Sequence, residues 1–312
     1  IGLTALAGSL VATSVAYAGA LTASGSAEMK MTNNSQSAAG KTIGMGNSVV
    51  LAGSGETDGG MTVSMSFELD SGVDTGTGTG PFDSHSVSVG TDALGTLTVH
   101  GHGGTNSASA LDTTAAGDFW DNTLGISSTN TPQAAASGNN LVVYSLPTVV
   151  DGVSAGVSYA SDGENNGGST AYGLTYTGVE GLSLSFGKGN NESTVDVDID
   201  QTIMKASYAY GPVTFAVSDN DYDHTTESSD QQVRSYSLAY TISDSLSVSY
   251  GETTMEKVGT TADIEVTGIT ASYTSGGMTL GLTAVDAVNV DHSSTGVNND
   301  NEFWKASLSF AF

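Results

Sequence analysis

Apolar residues recur at every second position in one segment of the chain after another. The stretches "MTVSMSFEL", "SYSLAY", "LSVSY" and "MTLGLTA" alternate in this way, and "FWKASLSFAF" places Trp304, Leu308, Phe310 and Phe312 on one parity. A period of two predicts β-strands with one apolar and one polar face. Beyond Gly19, no ten-residue stretch has the periodicity of an amphipathic helix, so the pattern predicts an all-β chain.

About sixteen alternating segments follow residue 19. Their predicted spans are 20–32, 42–53, 60–69, 83–90, 95–102, 139–147, 152–160, 169–177, 181–188, 200–210, 212–218, 232–241, 244–251, 264–274, 277–287 and 302–312. Disorder is the alternative suggested by the acidic, Gly-rich composition. It is excluded because the apolar residues are regularly spaced and frequent.

The connections between these segments alternate in length. Short ones such as "TDALG", "TGVEG", "YGP", "ISD" and "SGG" are rich in tight-turn residues. Long acidic ones, among them "SDGENNGG", "GNNESTVDVD" and "SDNDYDHTTESSD", lie between them. Short turns on one side and long loops on the other are typical of a transmembrane, antiparallel up-and-down β-barrel. With sixteen strands, the interior of such a barrel remains an aqueous channel.

Aromatic residues fall at two levels of the predicted strands, as expected at the two interfaces of a membrane. One set lies next to the short turns and comprises Tyr176, Tyr210, Tyr240, Tyr273 and Phe312. The other lies near the long loops and comprises Phe67, Tyr159, Phe186 and Tyr250. A general preference of tyrosine for strands would instead scatter these residues.

Charge and composition exclude several classes of protein. The chain of 312 residues has 33 acidic residues against 7 Lys and Arg, a formal charge of −26. Nucleic-acid binding needs a basic face and is excluded. There is no cysteine, so disulfides and thiolate metal sites are excluded.

Residues 1–18 are uncharged and apolar and end in Ala16-Tyr17-Ala18. This pattern resembles the core and cleavage site of a secretory signal peptide truncated at its start. A transmembrane helix is the alternative, although about 18 residues would barely span a bilayer. We therefore expect an exported protein of the bacterial envelope, with a barrel over residues 19–312.

The connection over residues 103–138 is the longest. Unbroken loops of more than about 15 residues are usually functional or disordered. This one carries Phe119 and Trp120 between Asp118 and Asp121. If it folds into the barrel, its aromatic residues can pack on the wall while its acids face the channel.

The layout is similar to the general diffusion porins, in particular the small sixteen-stranded porins of α-proteobacteria. The matching features are a leader ending "AYA", a first strand "ASGSAEMKM", "VGTDALGTLTVHGHG" before the third long loop, and the final "SLSFAF". The resemblance implies a passive channel for small hydrophilic solutes, a homotrimer, and contact with outer-membrane lipid and lipopolysaccharide.

The resemblance also implies an eyelet, a constriction of the pore between the inward-folded third loop and the barrel wall. The acids of the inward loop would be Asp112, Asp118 and Asp121, facing wall cations Lys30, Lys205, Lys305 and His100. The polar lumen face would further include Glu28 and Glu68. The sequence departs from the family in having few basic residues, and its one arginine, Arg234, has the apolar parity of its strand. The transverse field is therefore expected to be weak, and the acids at the mouth predict mild cation selectivity.

Metal and catalytic sites receive little support. His100 and His102 form an H-x-H pair on one predicted strand face and could share a metal there, but no third ligand accompanies them. A pair of polar lumen residues at the foot of the long loop is the alternative. Asp219, Asp221 and Asp223 resemble the start of a calcium loop without its central glycine, and a solvated acidic loop is the alternative. No nucleophile motif accompanies the histidines, so an enzyme is not expected. A secreted adhesive β-protein is the remaining alternative, and it would predict repeats, which are absent.

Overall fold

The computed structural model describes residues 17–18, 21–35, 40–70, 82–111, 138–161, 168–194, 197–294 and 300–312. Sixteen of its strands form one antiparallel barrel. They are β1 Thr22–Asn34, β2 Lys41–Glu56, β3 Thr62–Asp70, β4 Ser84–Thr91, β5 Gly95–His102, β6 Leu141–Ser145, β7 Val153–Ala160, β8 Gly168–Val179, β9 Leu182–Thr194, β10 Val197–Tyr210, β11 Val213–His224, β12 Gln231–Ser243, β13 Leu246–Lys257, β14 Ile264–Ser275, β15 Met278–Val288 and β16 Asn301–Ala311. The predicted sixteen-stranded all-β barrel is confirmed.

The barrel is closed by pairing of its last strand with its first. Phe310 of β16 lies opposite Ala27 of β1. Phe312 extends the seam, because its N–H donates to the Gly25 carbonyl (3.0 Å) and its own carbonyl accepts from the Gly25 N–H (2.9 Å). Closure leaves no open sheet edge, which a membrane-spanning sheet could not tolerate.

A two-residue strand, Tyr17–Ala18, pairs with Glu56 and Gly55 at the end of β2. These two residues fall within the predicted signal peptide, and residues 1–16 lie outside the described part of the chain. Cleavage after Ala18 stays a prediction. Among the described residues, no helix has both the length and the apolarity needed to cross a membrane.

Cross-strand pairing assigns the two faces of the barrel. Tyr273 lies opposite Leu280, and Leu280 opposite Leu308. These three belong to an exposed or half-buried apolar row that covers the outside. The opposite face carries Lys305, which pairs with Thr32 of β1, so polar side chains point into the barrel.

Some segments predicted as long loops are strand. β9 runs to Thr194 and β10 begins at Val197, so only residues 195 and 196 connect them. β11 likewise extends to His224. The strict alternation of short and long connections is therefore wrong at these two places. The strands continue because their inward side chains, including Ile199 and Tyr222, are buried.

Part of the barrel interior is packed with apolar side chains. The cluster lies on the inner face of β11–β16 and is joined by Val290 from the β15–β16 connection. Its members are Tyr222, Val233, Met255, Ile264, Val266, Val285, Ala287, Val290 and Phe303. The alternation of the strands predicts a lumen face of Ser, Thr, Gly and occasional charged residues. That prediction is wrong on this side, because the outer half of the wall forms a small hydrophobic core.

Candidate pore and constriction loop

Serine and threonine hydroxyls line the inner wall in cross-strand pairs. Because paired residues share a face, each pair lies side by side on neighbouring strands. The pairs are Ser26–Ser48 (3.3 Å), Thr32–Thr42 (2.7 Å), Ser88–Thr98 (2.9 Å), Thr175–Ser185 (3.0 Å), Ser235–Thr253 (2.9 Å), Ser249–Thr270 (2.5 Å) and Thr274–Thr279 (3.0 Å). These short side chains make a hydrophilic wall that leaves room for water.

Three charged side chains of the wall lie on β1 and β16. Lys305 Nζ lies 3.7 Å from Glu28 Oε1, and both side chains are more than a quarter exposed. Lys30 lies two residues from Glu28 on the same inward face, opposite Ser307. The structure therefore brings three of the predicted wall residues together.

The other predicted wall residues lie elsewhere on the inner face. Lys205 of β10 lies opposite Ser185 and Ser218. Glu68 of β3 accepts a hydrogen bond from the Ser84 hydroxyl (3.0 Å). The predicted polar positions thus encircle the lumen and do not form one cluster.

His100 and His102 lie on opposite faces of the sheet. His100 pairs with Ser86, whereas His102 pairs with His85, and a bulge at Gly101 separates them. A bulge changes the face of the residues that follow it. His102 therefore points outward, where its Nδ1 contacts the Asp83 carbonyl, and the predicted shared face of the H-x-H pair is wrong.

The start of the long third loop lies inside the barrel. Asn106, Ser107 and Ala108 are buried. The Ser107 N–H donates to Ser158 Oγ on the wall (2.9 Å). Asn106 Oδ1 accepts from the N–H groups of Ala108 (3.0 Å) and Ser109 (2.9 Å), which begins the short 3₁₀ helix Ser109–Leu111.

This segment rests on the inner wall of β7–β10. Ala108 packs with Ala171 and Ile203, and Leu111 packs against the same cluster. At the neck of the loop, the Gly104 N–H donates to the Gly138 carbonyl (2.8 Å). The described start of the loop therefore lies in the lumen, as the sequence predicted. Asp112, Asp118 and Asp121, with Phe119 and Trp120, lie outside the described residues.

Three glycines form the surface on which the loop rests. Gly156 lies opposite Gly173, and Gly173 opposite Gly187, so they form one lateral row on β7, β8 and β9. A Cβ at Gly156 would lie 3.2 Å from Ser107 Oγ, and one at Gly187 would lie 2.9 Å from Leu111 Cδ1. The loop thus approaches the wall more closely than larger residues would permit.

Aromatic side chains mark the edges of the outward apolar band. Near the short turns, Tyr210, Tyr240, Tyr273 and Phe312 are exposed and Tyr176 is half-buried. Toward the other end, Tyr159 is exposed and Phe67 is half-buried, with its ring 5.1 Å from that of Phe82. Phe186 is also exposed, but it lies in mid-strand and not at the predicted outer end, because β9 runs on to Thr194.

Tyr250 differs from the prediction because β13 runs on to Lys257. It lies in mid-strand and not at the outer end. It nevertheless stands where the outward row of that strand changes from apolar to charged, and its hydroxyl donates to Glu252 Oε1 (2.5 Å).

Above the apolar band, acidic side chains face outward. Asp219 Oδ2 lies 3.3 Å from Arg234 Nε, and Arg234 Nη1 lies 2.6 Å from Glu256 Oε1. Asp221 and Asp223 share the outward row with Asp219, on a strand where a loop was predicted. The described residues contain no group of three or more acidic or histidine side chains that could hold a metal. Calcium binding at these acids stays a prediction.

Sequence reasoning missed a contact between two outer connections. His292 is buried, and its carbonyl accepts from the N–H groups of Thr261 (3.3 Å) and Ala262 (3.2 Å). Its Nδ1 lies 3.2 Å from the Ala262 carbonyl. This contact caps the interior cluster beside Ile264. The sequence does carry a signal for that cluster, since Ile264 and Val266 have the parity opposite to Ile269.

Comparisons with known proteins agree with this architecture. An anion-selective porin from Comamonas acidovorans is 18% identical, with 94% of this chain and 99% of that chain covered and a TM-score of 0.71. OmpF of Salmonella typhi, solved with daunomycin, is 11% identical, with 94% and 98% covered and a TM-score of 0.71. OmpT of Vibrio cholerae in its trimer form is 14% identical, with 94% and 99% covered and a TM-score of 0.69. At these identities the likeness concerns the fold.

No functionally curated protein matches the sequence significantly. The sequence model of the Gram-negative porin family, however, matches residues 2–274, which is most of the chain. The protein therefore belongs to the Gram-negative porin family.

Proposed function

We propose that this outer-membrane porin is a passive diffusion channel for small hydrophilic solutes and ions, with a mild preference for cations. The observation that carries the proposal is the start of the long third loop, which rests inside a barrel whose wall is lined with hydroxyl groups. A hydrated lumen narrowed by a protein segment on its wall admits small polar solutes and excludes large ones.

The cation preference is inferred from charge. The chain carries a net formal charge of −26, which raises the local concentration of cations at the pore mouths. On the described wall, Lys30 and Lys305 lie beside Glu28, so their positive charge is partly offset. Asp112, Asp118 and Asp121 would add negative charge at the eyelet. Because a structural neighbour is an anion-selective porin, the sign of the selectivity is the decisive measurement.

The reversal potential under a tenfold gradient of potassium chloride tests this proposal. We expect a cation-selective potential that declines at high salt, where charges are screened. Asp118→Asn with Asp121→Asn should reduce it. Asp221→Asn with Asp223→Asn, which removes two outward-facing acids, is the matched control and should leave it unchanged. An anion-selective potential would refute the charge assignment, and an absence of conductance from folded protein would refute the channel.

We further propose that the porin assembles as a homotrimer, as the trimer form of Vibrio cholerae OmpT does. The outward face of β1 and β2 supports this, because it exposes large apolar side chains. Ile43 is 87% exposed and Met45 is 69% exposed. Light scattering in mild detergent should give three times the monomer mass. Ile43→Glu with Met45→Glu should give the monomer, and a monomeric wild-type protein would exclude the trimer.

The porin family and the barrel fold favour a channel over an enzyme. Outer-leaflet lipid and lipopolysaccharide are the proposed partners of the outward surface. The apolar band would contact their acyl chains, and the polar residues above it would lie at the headgroup level.

A further inference from the structure

We infer that Gly156, Gly173 and Gly187 are positioning residues. They fix how far the long third loop, residues 103–138, projects into the pore as its constriction loop. They would thereby set the size limit of a channel whose eyelet they do not line. This inference rests on the proposed diffusion function, and it adds a role for three residues of the barrel wall.

The geometry gives each glycine a specific contact with the loop. A Cβ at Gly173 would lie within 3.0 Å of the Ser107 carbonyl oxygen, a distance that real Cβ atoms essentially never show. At Gly187, a Cβ would lie 2.9 Å from Leu111 Cδ1 and 3.2 Å from Ala108 Cα. The loop backbone therefore lies directly on the glycine row.

Backbone conformation does not explain these glycines. Gly156, Gly173 and Gly187 all have φ outside the left-handed region, so other residues could adopt the same backbone angles. Glycine inside a strand weakens it, since it packs no side chain and loses more conformational entropy on folding. Three glycines in one lateral row are a local weakness of the wall, and the gain that offsets it is close approach of the loop.

The loop is also held in register along the wall. The Ser107 N–H donates to Ser158 Oγ (2.9 Å), two residues from Gly156 on β7. Ala108 is fully buried, as is Ile203, which lies opposite Gly187 on β10. Because the hydrogen bond and the packing fix the loop laterally, an added Cβ can be relieved mainly by movement away from the wall. That movement is directed into the lumen.

Gly173 and Gly187 differ in what an added methyl group would meet. At Gly173 the obstacle is backbone, which no truncation of a side chain removes. At Gly187 the nearest atom is the end of the Leu111 side chain, which is flexible. Shortening Leu111 should therefore relieve most of the displacement caused by alanine at Gly187, leaving the milder 3.2 Å contact with Ala108 Cα. Alanine at Gly173 should always displace the loop.

Single-channel conductance in potassium chloride and liposome swelling with neutral sugars of increasing size test the inference. The variants are Gly173→Ala, Gly187→Ala and Gly187→Ala with Leu111→Ala. Gly46→Ala is the matched control, because Gly46 also faces the lumen but its added Cβ has no atom closer than 3.9 Å. Leu111→Ala alone is measured as the reference for the double variant.

We expect Gly173→Ala to lose conductance and to exclude the largest sugars that the wild type admits. Gly187→Ala should lose less, and most of that loss should disappear when the double variant is compared with Leu111→Ala. Gly46→Ala should match the wild type. Folded Gly173→Ala with wild-type conductance and size limit would overturn the inference. If Gly173→Ala does not fold, the test rests on Gly187. The inference then fails unless adding Leu111→Ala restores most of the conductance that Gly187→Ala loses. A wild-type protein that does not conduct would instead refute the proposed function.

Discussion

The interior hydrophobic cluster predicts a large difference between two isoleucines of the same strand. Ile264 is fully buried on the inner face of β14, and Ile269 is 58% exposed on its outer face. Replacing either by alanine removes three carbons, worth about 2.4 kcal/mol of transfer free energy when burial is complete. Only Ile264→Ala also leaves a cavity, since acyl chains can fill the space beside Ile269. We therefore expect losses of about 4 kcal/mol for Ile264→Ala and about 1–2 kcal/mol for Ile269→Ala.

Urea unfolding in phospholipid vesicles measures both losses. Tryptophan fluorescence reports the unfolding of the barrel, because Trp304 lies on β16, and the heat-dependent shift on gels provides a second probe. Coincident transitions by the two probes would support a two-state analysis. Equal losses of unfolding free energy for the two variants, or a smaller loss for Ile264→Ala, would refute the packed inner wall. This side of the lumen would then be lined by water and not by a hydrophobic core.

Three further predictions concern the loops and the sheet. Burial lowers the pKa of His292 below its usual value, because a charged ring is disfavoured at this buried site. The stability of the packed arrangement of the two connections should therefore decline as pH falls below about 6.5. Amide exchange of residues 258–263 should rise at pH 5, and unchanged pH dependence in His292→Asn would contradict this. Arg234→Gln should lower the free energy of unfolding by about 1 kcal/mol or less at low salt, because the guanidinium and both partner carboxylates are 36–45% exposed. A loss of stability that persists at high salt would exclude ion pairing as its cause. Gly101→Ala should destabilise the barrel by about 1–3 kcal/mol, since its Cβ would collide with the His85 ring. A urea midpoint equal to that of the wild type would show that the bulge adapts to the added methyl group.

The strands were predictable because a barrel wall imposes a period of two over its whole length. The side chains of Leu308 and Phe310 face lipid, whereas that of Ser309 faces the lumen. Apolar and polar surroundings therefore alternate with each residue of the strand. The entry of the third loop was predictable for a different reason, since a long connection with apolar residues needs a surface to cover them. Its resting place on Gly173 was not, because an isolated glycine in a strand has several possible causes.

The rest depends on contacts between segments that are distant in sequence. Ile264 and Phe303 look like ordinary strand residues until the pairing of β14, β15 and β16 brings them onto one inner face. The separation of His100 from His102 depends on one extra residue at Gly101, and period-two reasoning assumes no such insertion. The acids at 219–223 were assigned to a loop because charge is usually a loop signal, whereas above a membrane a strand can carry charge on its outward face.

The seam between β1 and β16 has a kinetic consequence. Phe310 pairs with Ala27, so the contact that closes the cylinder joins residues about 280 positions apart, and bringing them together costs about 5 kcal/mol of chain entropy. Every other strand pair in the ring is between neighbours in sequence and can zip locally, so closure is expected to be the late, slow event of folding. Until it occurs, two unpaired strands remain open to any other chain. The nascent porin is therefore most vulnerable to aggregation in the interval between translocation and the joining of its two ends.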